Sequence, residues 1–176
     1  MRKKIRAEIS SIVPIDSKEL ITQSEVLAWI DSGAELFRIK KPATPIKHLV
    51  SYFVVVDGDY VLLVDHINAG LWLPTGGHVE PDEHPKDTVV REAKEELSLK
   101  SEFLYEKPIF LTSTNTVGKT SGHTDVSIWY VLKNDRNKSL VFDQSEFNQI
   151  KWFHKDNIPI ENTDPEMGRF LKKLYG

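Results

Sequence analysis

The chain has 176 residues, a formal net charge of −3 and 40% hydrophobic residues, which suits one globular domain. The weak negative charge gives no electrostatic reason to bind a nucleic acid polymer. The absence of cysteine excludes disulfides and a thiol nucleophile. The basic start is followed by no apolar run long enough for a signal or a membrane span, so we expect a cytoplasmic protein that does not bind membranes.

The first segment is predicted to be a helical extension. Asp16 and Glu19 have the spacing of a capping box, and Gly33 supplies a plausible helix stop. Apolar residues recur between these two signals, at Leu20, Leu27 and Ile30. The lysines and prolines of residues 40–45 then indicate a rigid connector. We therefore predict a helical extension and connector over residues 1–45 and a main domain over residues 46–176.

A β-hairpin is predicted next. Residues 48–56 form a strongly apolar run, Asp57 and Gly58 supply turn residues, and residues 60–65 form the partner strand. A helix follows, because Pro85 suits a first helical turn and Val90, Ala93 and Leu97 mark a stripe at helical spacing, expected to be buried.

Three glutamates, Glu92, Glu95 and Glu96, fall within one arc of this helix. Such like charges repel by a few tenths of a kcal/mol per pair, and anions in the last turns oppose the helix dipole. A cation is therefore expected opposite them, and carboxylate oxygens suit Mg²⁺ or Mn²⁺, which usually also bind substrate phosphates. The alternative is a solvated acidic face whose glutamates pair with lysines. This alternative gives no reason for two nearby residues, Gly77 before the helix and Arg91 beside Glu92.

Strands are predicted downstream at residues 107–116, 124–132 and 149–153, with a polar loop over residues 117–123. A closing helix is predicted over residues 165–175, with inward residues Met167, Phe170, Leu171 and Leu174. Strands alternating with two long helical segments predict an α/β fold, an α/β/α sandwich.

The segment of residues 77–99 resembles the Nudix box, G-x5-E-x7-R-E-U-x-E-E-x-G-U with U apolar, which marks hydrolases of nucleoside diphosphates linked to another moiety. The matching residues are Gly77, Glu83, Arg91, Glu92, Ala93, Glu95, Glu96 and Leu99. Ser98 stands where the box has glycine, and serine there should strain or reshape the helix end by about 1 kcal/mol. The resemblance implies a mixed sheet between helices.

The resemblance also implies site roles. Glu92 and Glu96 would be the main ligands of the metal, with help from Glu95 and from the backbone carbonyl of Gly76. A metal-activated water would then cleave a diphosphate linkage. Arg91 and Glu83 are interpreted as orienting these ligands by pairing with each other and with the loop.

The general base is left open between a box glutamate and a carboxylate outside the box. Glu146, on the loop before the last strand, is the outside candidate, and an exposed loop glutamate is the competing interpretation. We count it with the box residues Glu83, Arg91, Glu92, Glu95 and Glu96 as a candidate catalytic residue.

Four residues are candidates for contact with a small-molecule nucleotide or other diphosphate substrate: Gly77, His78, His123 and Asp125. His78 directly follows the box glycine, and the other two polar residues begin a predicted strand near converging loops. His48 is interpreted as an ordinary strand-end histidine. The chain lacks the sequence features that identify several substrate classes in the family. By elimination, a nucleoside triphosphate or a small nucleotide derivative is the leading substrate class.

Two other functions were weighed against a hydrolase. A non-catalytic Nudix-like module that senses a nucleotide does not need the full set of glutamates that this chain keeps. An isopentenyl diphosphate isomerase commonly uses a catalytic cysteine, which this chain lacks. Members of the family are often dimers, and the sequence leaves a homodimer open.

Overall fold

The computed structural model describes residues 1–40, 44–116 and 122–176. Much of the predicted connector and of the predicted loop at 117–123 lies outside the described residues. The helices in the described part are α1 (Arg2–Ser10), α2 (Ser17–Asp31), α3 (Pro85–Leu97) and α4 (Met167–Tyr175). The strands there are β1 (Lys47–Asp57), β2 (Tyr60–His66), β3 (Leu71–Leu73), β4 (Thr75–His78), β5 (Phe110–Asn115), β6 (Thr124–Lys133) and β7 (Phe147–His154).

The strands form one mixed sheet of seven strands with the order β3-β2-β1-β6-β5. Strand β4 also pairs with β1, and β7 also pairs with β2. The long central strands β1 and β6 run parallel and place His48 beside Asp125, whereas the other pairings are antiparallel. The predicted mixed sheet is therefore confirmed.

Alternate residues of β1 point to two different cores, as the twofold period of a strand requires. Phe53 and Val55 belong to the core shared with α1, α2 and α3. Val54 and Val56 belong to the core shared with α4. Helices thus cover both faces of the sheet, which confirms the predicted α/β/α sandwich.

The N-terminal helices pack directly on the sheet core. Ile5, Ile9, Val26 and Ile30 are buried in the same cluster as Ala93 of α3. The predicted capping box is present, because the Asp16 side chain accepts a hydrogen bond from the Glu19 amide at 2.8 Å. The division of the chain at residue 45 stays a prediction.

Glu19 ties this extension to an edge strand and to the last helix. Its side chain is buried and accepts the Leu111 amide of β5 at 3.2 Å. It also accepts hydrogen bonds from the Lys173 ammonium of α4, at 2.7 and 2.8 Å. One buried carboxylate thus joins three elements that are distant in sequence.

Helix α3 begins and ends as its sequence predicts, but one buried position was misplaced. Pro85 is the first helical residue, and Ser98 takes the left-handed conformation at φ 49°, as the box glycine would. Val89 is buried, whereas Val90 is 46% exposed, so the prediction for Val90 was wrong. Val89 lies one turn before Ala93 and on its face, while its neighbour is turned about 100° away.

Helix α4 confirms the predicted closing helix. Met167 and Phe170 are fully buried against the sheet, and Leu171 and Leu174 pack partly buried beside them. Within the described ranges, no helix combines the length and the apolarity needed to cross a bilayer.

Candidate active site

Strand β4 and the third turn of α3 come into close contact, which explains two glycines. A Cβ on Gly77 would lie 1.9 Å from Oε1 of Glu92. A Cβ on Gly76 would lie 2.2 Å from the backbone oxygen of Ser51 on β1. A side chain at position 76 would clash with backbone, whereas one at position 77 would displace the Glu92 carboxylate, which lies directly against β4.

Glu96 lies one helical turn further on and is 7% exposed. Its Oε2 is buried and has no hydrogen-bond partner among the described residues. Burial, and next the negative charges of Glu92 and Glu146, raise the pKa of Glu96 to about 9, against a backbone hydrogen bond from Gly76 that lowers it. A buried carboxylate oxygen without a partner is unfavourable unless a cation joins it.

Glu92 and Glu95 differ in their exposure. The Glu92 side chain is 14% exposed, and burial raises its pKa against the opposing effect of Arg91. The Glu95 side chain is 61% exposed and lies 3.5 Å from Nη1 of Arg91. Glu92 and Glu96 therefore form the inner pair of carboxylates, and Glu95 lies at the rim.

Arg91 fixes the positions of Glu83 and Glu92 through hydrogen bonds. Its Nε and Nη2 donate to the two oxygens of Glu83, both at 3.0 Å. Its Nη1 donates to Glu92 at 2.6 Å, and its Nη2 also donates to the carbonyl of His78 at 3.2 Å. The predicted pairing of Arg91 with Glu83 and with the loop is present.

Glu83 is itself fixed by further donors. Its Oε2 accepts the Thr88 hydroxyl at 2.7 Å and the Glu80 amide at 3.1 Å. Burial alone would raise the pKa of Glu83, but the hydrogen bonds from Arg91, Thr88 and Glu80 outweigh it and lower the pKa. Glu83 is therefore an ionised anchor for the guanidinium.

Glu146 lies on the loop before β7, as the sequence predicts. Its negative charge reaches the inner carboxylates, because it raises the pKa of both Glu92 and Glu96. The amide of Asp143 donates to the carbonyl of Glu96 at 2.9 Å, which ties this loop to the end of α3. The structure thus brings Glu146 to the site, with its carboxylate exposed to solvent.

A cavity of about 260 Å³ opens beside the carboxylates. Residues from distant parts of the chain line it, including the candidate site residues Gly76, Gly77, His78, Glu96, His123 and Asp125. Burial, and then the positive charge of Arg38, lower the pKa of His78 to about 3, so this imidazole is neutral at physiological pH.

A group of imidazoles surrounds Asp125 at the wall of the cavity. Nε2 of His48 lies 3.2 Å from Oδ1 of Asp125, and Nε2 of His123 lies 3.3 Å from the same oxygen. The His48 ring is centred 4.8 Å from that of His78. The sequence does not identify His48 as a site residue, because no local pattern shows that β1 and β6 become parallel neighbours.

A family model described as NUDIX domain matches residues 47–174. No curated protein matches the sequence significantly. The chain therefore belongs to the Nudix family, because the model spans most of its length.

Solved structures share this fold at low sequence identity. A MutT NUDIX hydrolase from Burkholderia pseudomallei is 20% identical with a TM-score of 0.59, over 73% of this chain and 98% of that chain. The NUDIX domain of NrtR from Shewanella oneidensis, complexed with ADP ribose, is 19% identical with a TM-score of 0.54, over 72% and 84%. An Ap4A hydrolase from C. elegans is 20% identical with a TM-score of 0.53, over 71% and 94%.

The family assignment confirms the predicted Nudix resemblance. Membership of this family supports the prediction of an enzyme that acts on pyrophosphate bonds. The fold places the matching glutamates on α3 and the glycines on β4, beside one cavity.

Proposed function

We propose that this protein is a Mg²⁺- or Mn²⁺-dependent hydrolase that cleaves a diphosphate linkage in a nucleoside diphosphate derivative, with a nucleoside triphosphate as the leading substrate. The observation that carries this proposal is the inner pair of carboxylates. Glu96 has a buried oxygen without a hydrogen-bond partner among the described residues, and Glu92 lies one turn away on the same helix.

The donor set fits a hard divalent cation. Glu92 and Glu96 would hold it, together with the backbone carbonyl of Gly76 on the neighbouring strand β4 and with Glu95 at the rim. Oxygen ligands of this kind suit Mg²⁺ and Mn²⁺, which bind few protein carboxylates and keep positions for phosphate oxygens. When bound, such ions neutralise phosphate charge and activate water for attack on phosphorus.

The residues around the carboxylates set their positions. Arg91 holds Glu92 through Nη1 and is itself fixed in orientation by Glu83 and by the carbonyl of His78. Arg91 and Glu83 are positioning residues in this proposal, because their polar groups are engaged by protein partners. Gly77 leaves the space that the Glu92 carboxylate fills.

Glu146 is proposed as the general base. Its carboxylate is exposed and close enough to influence the charge of Glu92 and Glu96. It can therefore accept the proton of the attacking water while the inner pair stays engaged. A box glutamate is the other candidate for this role.

The cavity is proposed to receive the part of the substrate that lies beyond the reacting phosphates. Its volume of about 260 Å³ is below the range of about 300–1,000 Å³ for sites that enclose a drug-sized ligand. It therefore fits a fragment of the nucleotide. Gly77, His78, His123 and Asp125 are proposed as substrate-contacting residues on this ground.

A panel of nucleoside triphosphates, dinucleoside polyphosphates and nucleotide sugars, each with Mg²⁺ or Mn²⁺, tests the proposal. We expect release of phosphate, pyrophosphate or a mononucleotide from one member. Glu96→Gln should abolish this release, and Asp87→Asn on the exposed face of the same helix should keep it. The proposal fails if every member stays intact with the folded wild-type protein.

A nucleotide-sensing module is the second candidate. The NUDIX domain of NrtR, which shares this fold, binds ADP ribose in its solved structure, so the same fold can hold a nucleotide derivative. The sensing module becomes the better interpretation if a panel member binds with micromolar affinity and is not cleaved.

Sedimentation of the same samples measures whether the protein is a homodimer.

A further inference from the structure

A second cluster of ligating side chains lies apart from the glutamates. His48 and Asp125 start the parallel strands β1 and β6 and are direct neighbours in the register. His123 precedes β6 and stacks on His48 with ring centroids 5.0 Å apart. One atom from each of His48, His78, His123 and Asp125 lies within 4.8 Å of the others.

The hydrogen bonds of His48 fix its tautomer. Nδ1 lies 2.9 Å from the carbonyl oxygen of Pro45, which can only accept, so Nδ1 carries the proton. Nε2 of the neutral ring then has a lone pair that points at Oδ1 of Asp125. His48 is completely buried, and both of these facing atoms lack a hydrogen-bond partner in the described part of the chain.

His123 has the same arrangement. Its Nδ1 lies 3.2 Å from the hydroxyl oxygen of Thr116, and that hydroxyl donates to the carbonyl of His123 at 3.1 Å. In the tautomer that matches this hydrogen bond, Nδ1 is the donor and Nε2 has a lone pair. Two imidazole lone pairs and a carboxylate oxygen thus meet at 3.2 and 3.3 Å, where mutual repulsion requires a positive charge.

The fourth side chain of this cluster, His78, has a partner of its own. The nearby guanidinium of Arg38 donates to Nε2 of His78 at 3.1 Å. The neutral His78 ring then carries its proton on Nδ1, which leaves His48, His123 and Asp125 as the three available ligands.

We propose that Nε2 of His48, Nε2 of His123 and Oδ1 of Asp125 bind a divalent transition-metal ion, with Zn²⁺ the best fit. Zinc ligands at about 2.0–2.1 Å in a tetrahedron are about 3.3–3.4 Å apart, close to the distances found here. Imidazole nitrogens select such ions over Mg²⁺.

The surroundings are those that a metal-binding histidine needs. Ligating imidazoles donate their other ring N–H to a carbonyl or a polar group, as His48 does to Pro45 and His123 does to Thr116. His123 and Asp125 line the cavity, so a fourth coordination position is left for water or a substrate oxygen. This ion would share no ligand with the carboxylate site.

Zinc titration of the full-length protein tests the site without relying on catalysis. The protein is freed of metal with a chelator and titrated by calorimetry with Zn²⁺ in excess Mg²⁺, and Co²⁺ serves as a spectroscopic probe. We expect one Zn²⁺ per chain and visible Co²⁺ absorption typical of four- or five-coordination. Asp125→Asn and His123→Gln should each weaken binding by roughly 100-fold or more and abolish the Co²⁺ bands.

The glutamate site supplies the matched control. Glu92→Gln combined with Glu96→Gln should leave the affinity for Zn²⁺ within about twofold of wild type, whether or not the protein hydrolyses nucleotides. Circular dichroism and melting temperature show that each variant is folded. The proposal is overturned if the dissociation constant for Zn²⁺ exceeds about 100 μM, or if Asp125→Asn and His123→Gln both bind Zn²⁺ as tightly as wild type. It is also overturned if the double glutamate variant no longer binds Zn²⁺.

Discussion

The carboxylate of Glu92 occupies the place where a side chain on Gly77 would begin. The 1.9 Å between a Cβ at Gly77 and Oε1 of Glu92 is far below any allowed contact. Strand β4 and helix α3 can therefore keep Glu92 in this position only if residue 77 has no side chain. This contact links the first residue of the Nudix box to a ligand-bearing glutamate fifteen positions later in the sequence.

Gly77→Ala should lower activity far more than stability. The added methyl must push the Glu92 side chain out of place, but that side chain is flexible and can move without unfolding the helix. We expect a loss of activity of about 10- to 100-fold and a fall in unfolding free energy of about 1–3 kcal/mol, like other overpacked sites. Enzyme assays and urea unfolding measure both. Gly168→Ala is the matched control, since nothing lies within 4 Å of its Cβ and alanine favours a helix.

Glu96→Gln should abolish hydrolysis and raise the melting temperature of the metal-free protein. The amide keeps the shape of the side chain but removes the free-energy cost of protonating a buried carboxyl whose pKa is raised to about 9 by burial and by the charges of Glu92 and Glu146. We expect a loss of activity of at least roughly 100-fold, and Mg²⁺ should stabilise the wild type alone. Thermal melting with chelator and with Mg²⁺ gives the second readout. Equal stabilisation of both proteins by Mg²⁺ would contradict a role for Glu96 in metal binding.

Arg91→Lys should reduce kcat with little change in KM. Lysine cannot make the two-pronged contact with Glu83 while also reaching Glu92 and the carbonyl of His78. We expect kcat to fall about 10- to 100-fold. Combined with Glu83→Gln, the loss should be smaller than the product of the single losses, since both act through one contact. Arg136→Lys, at an exposed contact with Asp57, should leave kcat unchanged.

Asp164→Asn should change how stability depends on pH. Burial raises the pKa of Asp164 to about 6, so the folded state binds its proton more tightly than the unfolded state does. The stability that the protonated Asp164 contributes to the folded state is fully present below about pH 4 and is lost as the pH rises to about 6. The variant keeps the acceptor for the Glu166 amide. It should be more stable than wild type by roughly 2–3 kcal/mol at pH 7 and equal to it near pH 4. The free energy of unfolding of both proteins is measured in urea across this pH range. A difference between them that stays the same at every pH would contradict this assignment.

Glu19→Gln should destabilise the whole domain. The amide removes the charge that faces the buried ammonium of Lys173, and only one of its two side-chain atoms can still accept. We expect a loss of roughly 2–5 kcal/mol, as for other broken buried pairs. Glu25→Gln, on the exposed side of the same helix, should change stability by less than about 0.5 kcal/mol. Similar losses in the two variants would mean that the extension is not anchored through Glu19.

Local rules were sufficient for much of the fold. Pro85 marks the helix start, Asp57 and Gly58 mark the hairpin turn, and both elements are present where their sequences predict them. These features depend on backbone geometry within a few residues, which the sequence specifies directly. The error at Val90 arose because the neighbouring valine at 89 fits the same pattern, and only packing against the sheet distinguishes them.

The sequence by itself determined the chemistry of the box: three glutamates on one helical arc, a glycine and an arginine, because helical periodicity converts spacing into direction. Tertiary structure decided which carboxylates are buried and which face solvent. It also decided that β1 and β6 run side by side, which brings His48 to Asp125 across a gap of seventy-seven positions in the sequence. Such long-range pairing depends on the assembly of the whole sheet, and residues 48 and 125 carry no local sign of it.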